Sequence, residues 1–248
     1  MPRLCVPAEL TEGGELTLPP AQTNYLVNVM RLGAGDCVLL FNGRDGEFAA
    51  TLAAKSRKGA SLRVGERTRT QETPPDVEYL FAPLKQARLD YMAQKAIEMG
   101  VRRLRPVLTR RTQAARVNLE RLSANAIEAC EQCGVVWTPE VAPVEPLGEA
   151  LARWPAERLR VFCDEEAERT SPLDALANVT ADGGVGLLIG PEGGFDDQER
   201  AAILKTPRAL RLSLGARILR ADTAAVAALA LIQAALGDWR NARRGGGA

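Results

Sequence analysis

The stretch Leu187-Leu188-Ile189-Gly190-Pro191-Glu192-Gly193-Gly194-Phe195 decides how this chain folds. Its first residues continue an apolar run from Val185 that does not alternate with polar positions, the pattern of a strand buried on both faces of a parallel sheet. Gly190 and Pro191 stop the strand, and Asp196 followed three residues later by Glu199 is a capping-box signal for a helix. A second segment, Leu212-Ser213-Leu214-Gly215-Ala216-Arg217-Ile218-Leu219-Arg220-Ala221-Asp222-Thr223-Ala224, repeats the order of strand, glycine, short loop and helix, with Asp222 or Thr223 as candidate cap. Both loops therefore fall at the carboxyl ends of parallel strands, where open α/β sheets take their ligands.

Working outward, strands at 77–82, 104–108, 159–163, 185–189 and 209–214 alternate with helices at 84–99 and 119–133, which is the α/β pattern. The last helix, 223–236, is apolar nearly all round and needs cover on more than one side, from the core or from a second copy of the chain. The first 70 residues differ. Short β-favouring runs at 37–41, 48–52 and 61–64 are broken by Gly33-Ala34-Gly35-Asp36 and Asn42-Gly43-Arg44-Asp45-Gly46, with one short helix over 22–31, which predicts a small β-barrel. The polar stretch 68–76, containing Pro74-Pro75, is the natural linker, so the expected domains are 1–70 and 77–242, followed by a frayed basic tail.

Composition narrows the chemistry. The chain has 248 residues, 46% of them hydrophobic, enough for a real core in each domain. It has no histidine, which removes the Ser-His and Cys-His nucleophile pairs and most zinc sites. Cys130 and Cys133 have metal-like spacing but no second pair to complete a site, so they read as helix packing. Five cysteines do not suggest a secreted disulfide framework. With no export signal and no apolar run long enough to span a bilayer, a cytoplasmic protein is expected.

A net charge of +1 hides strong segregation. Residues 55–72 carry +4, residues 101–125 carry +6 with seven arginines against Glu120, and residues 140–200 carry −9. Such basic clusters are the footprint of a phosphate backbone, or else ordinary solvated surface. The glycine loop at 190–194 fits neither phosphate-binding fingerprint, and Glu192 in its middle would repel a phosphate, so it suits a neutral or cationic ligand. A single loop of this kind is usually only a strand-to-helix turn; two together, with Arg217 and Arg220 beside the second, make a site.

The segments 189–195 and 214–224 resemble the two signature motifs of the bacterial small-subunit ribosomal RNA uridine N3-methyltransferases, of the SPOUT class. Further matches are Gln94-Lys95-Ala96-Ile97-Glu98-Met99-Gly100-Val101, Glu131-Gln132-Cys133-Gly134, Arg31-Leu32-Gly33-Ala34-Gly35-Asp36 and Phe41-Asn42-Gly43, so the likeness runs through nearly the whole chain. The chain departs from the family at Val135, Asp222 and Asn28, where arginine, glutamate and arginine are usual. The resemblance implies an N-terminal PUA-like RNA-binding barrel, a C-terminal α/β domain with a deep trefoil knot, S-adenosylmethionine as methyl donor, no metal, and a homodimer with its active site at the subunit interface.

It implies that the donor is held by Ile189, Gly190, Pro191, Glu192, Gly193 and Gly194, by Leu212, Ser213, Leu214, Gly215, Ile218, Leu219 and Thr223, and by a third loop after Cys163. Arg3, Arg31, Arg44, Lys55, Arg57, Lys58, Lys85, Arg110 and Arg111 are the expected contacts to 16S ribosomal RNA of the assembled small subunit. Because uracil N3 is a poor nucleophile until its proton leaves, Arg220 is expected to stabilise the anion with help from Arg217, and Glu192 or Asp222 to accept the proton. The competing readings are a SPOUT enzyme acting on another nucleotide or a ribose 2′-hydroxyl, and a non-catalytic RNA-binding assembly factor.

Overall fold

The structure, a computed structural model, describes residues 1–56, 59–113 and 116–241, apart from the side chains of 55, 56 and 241. It divides into two compact units, residues 1–73 with 127–138, and residues 74–126 with 139–241.

The first unit is built on a five-stranded sheet. Its elements are β1 (Arg3–Cys5), β2 (Glu15–Thr17), α1 (Pro20–Asn24) running into a π-helical turn (Tyr25–Val29), β3 (Cys37–Phe41), β4 (Glu47–Ser56) and β5 (Gly59–Arg69). The strand order is β1-β3-β4-β5-β2, with β1 parallel to β3 and the other pairs antiparallel. Alternation along the strands buries Val38, Leu40, Leu52, Leu62 and Val64, and Leu26 of the π-helical turn plugs the same core. The helix predicted at 22–31 thus lies two residues earlier, over 20–29, and its second half is π-helical. Its exit requires Arg31 at φ 58°, a left-handed conformation that only a few non-glycine residues adopt.

The second unit contains β6 (Val77–Phe81), α2 (Gln86–Glu98), β7 (Arg103–Leu108), the first half of α3 (Leu119–Cys133), β8 (Glu140–Val141), β9 (Glu145–Pro146), α4 (Leu147–Ala152), β10 (Leu159–Cys163), α5 (Pro172–Ala177), β11 (Val185–Ile189), α6 (Asp197–Leu204), β12 (Ala209–Leu212) and α7 (Ala221–Ala235), then a 3-10 turn (Asp238–Asn241). The sheet runs β12-β10-β11-β6-β7-β8, with β9 beside β7, and every pair is parallel. As its unbroken apolar run predicts, β11 is central and buried at every residue.

Successive side chains point to opposite faces. Leu80, Phe162 and Leu188 meet Leu147 of α4 and Ile203 of α6, while Tyr79 points the other way onto Met92 of α2. α7 lies on β11 and against α2 and α5. Its one fully buried polar residue, Gln233, donates to the Met99 carbonyl at 2.6 Å. Near the start of β10, Arg160 is fully buried under Trp154, with its guanidinium 4.1 Å from the ring centroid. Gly186 is glycine because a Cβ there would enter that indole. Burial, and then the nearby Arg105 charge, lower the Arg160 pKa to about 10.

Several boundaries shift from expectation, and two of the shifts bear on the pocket. β12 ends at Leu212 instead of 214, because the chain turns away to reach Gly215 at φ 98°. α7 begins at Ala221, so the N-cap falls to Arg220 and neither Asp222 nor Thr223 holds that position; Asp222 accepts from the Thr223 N–H instead.

Candidate active site

Since β10, β11 and β12 are parallel neighbours, their ends at Cys163, Ile189 and Leu212 lie side by side. The three loops that leave them enclose a pocket of about 400 Å³, within the usual range for small-molecule sites. Its wall includes all of 189–195 and 212–219, then Ala221 and Ala224, and on the third side Cys163, Asp164, Glu165 and Arg169. Every residue expected to hold the donor is there except Thr223, which faces solvent on α7. Of the expected catalytic residues, Glu192 and Arg217 line the pocket, whereas Arg220 and Asp222 stand just beyond its wall on the first residues of α7.

The glycines have distinct reasons. A Cβ on Gly190 would lie 3.0 Å from the Phe195 ring, and one on Gly194, at φ 68°, would collide with the Glu165 carboxylate. Gly193 lies under Arg111, whose Nη1 donates to its carbonyl at 2.6 Å. Around Gly215 there is open space, so its glycine answers the positive φ and not crowding. The capping box is present: the Asp196 carboxylate accepts from the Glu199 N–H at 2.8 Å, and Glu199 accepts from the Asp196 N–H at 3.1 Å.

Ion pairs fix the walls. Asp164, with a side chain only 1% exposed, is held by Arg200 Nε of α6 at 3.0 Å and Arg211 of β12 at 2.7 Å. One carboxylate thus locks the third loop to the two elements beside it. Glu192 pairs with Arg88 of α2 at 3.6 Å, and Arg110 with Asp196 at 2.9 Å. Asp196 is held below the usual carboxylate range chiefly by the Glu199 N–H, with Arg110 adding to the effect. Burial pushes the Cys163 thiol up to about 12, with Asp164 raising it further, and burial likewise raises the enclosed Tyr79 phenol. Both stay protonated at neutral pH, and of the two only Cys163 lines the pocket.

Sequence reasoning placed a wall after Cys163 but did not name Asp164, Glu165 and Arg169 on it, nor, at the loop after β11, the Phe195 ring against Gly190 and Arg88 beside Glu192. The proximity of Asp-Glu-Glu to the end of a predicted strand was the available signal. Among the expected RNA contacts, Arg31, Arg44, Lys85, Arg110 and Arg111 are exposed. Arg3 is not available: its guanidinium is 11% exposed, bonded to Glu47 at 2.7 Å and to the carbonyls of Cys130 and Val135, because the end of α3 folds over it. Lys55 is placed at the end of β4, and Arg57 and Lys58 lie outside the described residues. Cys130 is buried as packing but Cys133 is exposed. Among the described residues no group of three or more acidic, cysteine or histidine side chains could hold a metal, and no helix is long and apolar enough to cross a membrane.

A chain with a three-loop pocket on a parallel sheet and a separate small β unit has the make-up of an RNA methyltransferase, and comparison with known proteins agrees. Residues 71–233 match the RNA methyltransferase domain family and residues 18–65 the RNA methyltransferase PUA domain. The chain belongs to this RNA methyltransferase family. It is 32% identical to the ribosomal RNA small subunit methyltransferase E of Synechocystis, over 94% of this chain and 78% of the relative, and 28% identical to that of Rickettsia conorii, over 93% and 94%. Among solved structures, the Neisseria gonorrhoeae ribosomal RNA small subunit methyltransferase E bound to S-adenosylmethionine superposes with a TM-score of 0.87, at 30% identity, covering 96% of this chain and 99% of that one.

Proposed function

We propose that this chain transfers a methyl group from S-adenosylmethionine to N3 of a uridine in 16S ribosomal RNA of the assembled small subunit. The observation that carries this reading is the pocket of about 400 Å³ at the ends of β10, β11 and β12, built from three loops, with open space over Gly215. The residues that would hold the donor are those of 189–194, 212–219 and the loop after Cys163. Bound there, it supplies an electrophilic methyl group on a sulfonium.

The chain's own residues prepare the nucleophile. Arg220, exposed at the N-cap of α7, and Arg217 on the pocket wall place positive charge where the uracil oxygens gain negative charge as the N3 proton leaves. Glu192 is the better placed proton acceptor, since it lines the pocket while Asp222 stands outside it and is engaged by the Thr223 N–H. The first unit, with exposed Arg31 and Arg44, and Lys85, Arg110 and Arg111 of the second supply phosphate contacts. The reading includes the trefoil knot, a cytoplasmic setting and a homodimer. The dimer is supported by Ile218, 90% exposed in the pocket rim, and by half-buried Val226, Ala227 and Ala230 along α7.

Two measurements test the proposal. Calorimetric titration should show S-adenosylmethionine binding, and mass-spectrometric mapping of ribosomal RNA from cells lacking the protein should show one uridine without its N3 methyl. A missing ribose methyl instead would move the target to a 2′-hydroxyl, and absence of donor binding would leave only an RNA-binding role.

A further inference from the structure

The pocket wall after β10 carries a second feature, and its interpretation rests on the donor reading above. The acids of this wall are not alike. Asp164 is neutralised by Arg200 and Arg211, and Glu166 is paired with Arg200 at 3.2 Å. Glu165 lies between them, lines the pocket, and has no ion pair within 4 Å among the described residues. The cation that influences it, Arg200, is already held by Asp164, Glu166 and Asp197. The Glu165 carboxylate lies against the backbone of Gly194, where only a residue without a Cβ leaves room for it.

Four residues further along, Arg169 lines the same pocket, also without a hydrogen bond or ion pair among the described residues. The two opposite charges do not pair with each other. One short segment thus presents to a cavity an exposed carboxylate and an exposed guanidinium, each unpaired among the described residues, and a ligand that engages both carries an ammonium and a carboxylate. An α-amino acid has that arrangement, and a guanidinium fork matches a carboxylate with two parallel hydrogen bonds.

We propose that Glu165 and Arg169 bind the amino-acid end of the methyl donor, Glu165 accepting from the α-ammonium and Arg169 donating to the α-carboxylate. The pair then orients the donor from the end remote from the adenine. Because that end is common to the donor and its demethylated product, the two residues strengthen binding of both alike and do not read the sulfonium charge.

The test is calorimetry on the full chain, comparing wild type, Glu165→Gln and Arg169→Gln with S-adenosylmethionine, S-adenosylhomocysteine and 5′-methylthioadenosine, which lacks the amino-acid end. Each substitution should weaken the first two ligands equally, by roughly tenfold or more, as expected for a lost charged hydrogen bond, and leave methylthioadenosine unchanged. Wild-type affinity for the first two ligands in both variants overturns the proposal. So does a parallel loss with methylthioadenosine, which would mean a distorted pocket, and so does a loss by Glu165→Gln confined to S-adenosylmethionine, which would place the carboxylate against the sulfonium. Wild-type protein that binds none of the three overturns the donor reading itself, a failure distinct from the others.

Discussion

The loop after β11 is held from every side, by Phe195 under Gly190, Arg111 on the Gly193 carbonyl, Glu165 over Gly194 and Arg88 on Glu192, whereas the loop after β12 stands open. Nothing lies within 4 Å of a Cβ at Gly215, Ile218 is almost wholly exposed, and neither the Arg217 nor the Arg220 side chain has a hydrogen bond or ion pair among the described residues. Both loops follow the same rule of strand, glycine and helix, so pattern does not explain the difference. The first is preorganised by the protein's own side chains. The second keeps its cations unneutralised, as groups must that act on a substrate arriving from outside. On the proposed reading both loops hold the donor, and the second also brings the two arginines to the substrate.

The most direct way to break that division is Arg220→Ala. If the open loop carries the chemistry, single-turnover methyl transfer should fall by roughly 10²–10³, the cost of losing one charge-stabilising donor, while affinities for donor and RNA change little. Lysine should rescue only part, since it keeps the charge without the planar fork. An unchanged rate with weakened RNA binding would turn Arg220 into an anchor.

Gly194→Val tests the packed loop. The left-handed φ costs a side chain about 1–2 kcal/mol and the new atoms meet Glu165, so donor affinity in calorimetry should drop by about tenfold to a hundredfold. A normal affinity would show that the loop yields easily and is not preorganised. Gly215→Ala sharpens the contrast: with open space around it, only the backbone strain of about 1–2 kcal/mol applies, and the same titration should show a loss of about thirtyfold at most. A larger loss than at Gly194 would reverse the ranking of the two loops.

The smallest effect is a pH dependence confined to the packed loop. The folded pKa of Asp196 is depressed, so its contribution is fully present above the ordinary carboxylate value of about 3.9 and is lost as pH falls through the lower folded value. Hydrogen exchange at the start of α6, taken relative to the intrinsic exchange rate at each pH, should therefore quicken on acidification below about pH 4 in wild type. In Asp196→Asn it should be faster at neutral pH and flatter with pH. Equal profiles would mean that the cap does not hold the loop.

What the sequence determined by itself was whatever depends on neighbours along the chain. The unbroken apolar run of 185–189 and the glycines after it specified a buried parallel strand with a ligand loop, and Asp196 with Glu199 specified the start of α6, because strand burial, turn and cap are decided within a few residues. Tertiary structure alone decided what closes the pocket. Asp164 meets arginines 36 and 47 residues away, and Arg111 reaches a carbonyl 82 residues away, contacts that no local pattern encodes. The same holds for residues 127–138, which include the second half of a helix legible as part of the second domain and yet belong to the first unit. There the Arg3 and Arg69 guanidinium groups bind the carbonyls of Val135 and Gly134 and Glu131 accepts from the Cys5 N–H, because the unsatisfied carbonyls at a helix end take donors from wherever the fold supplies them.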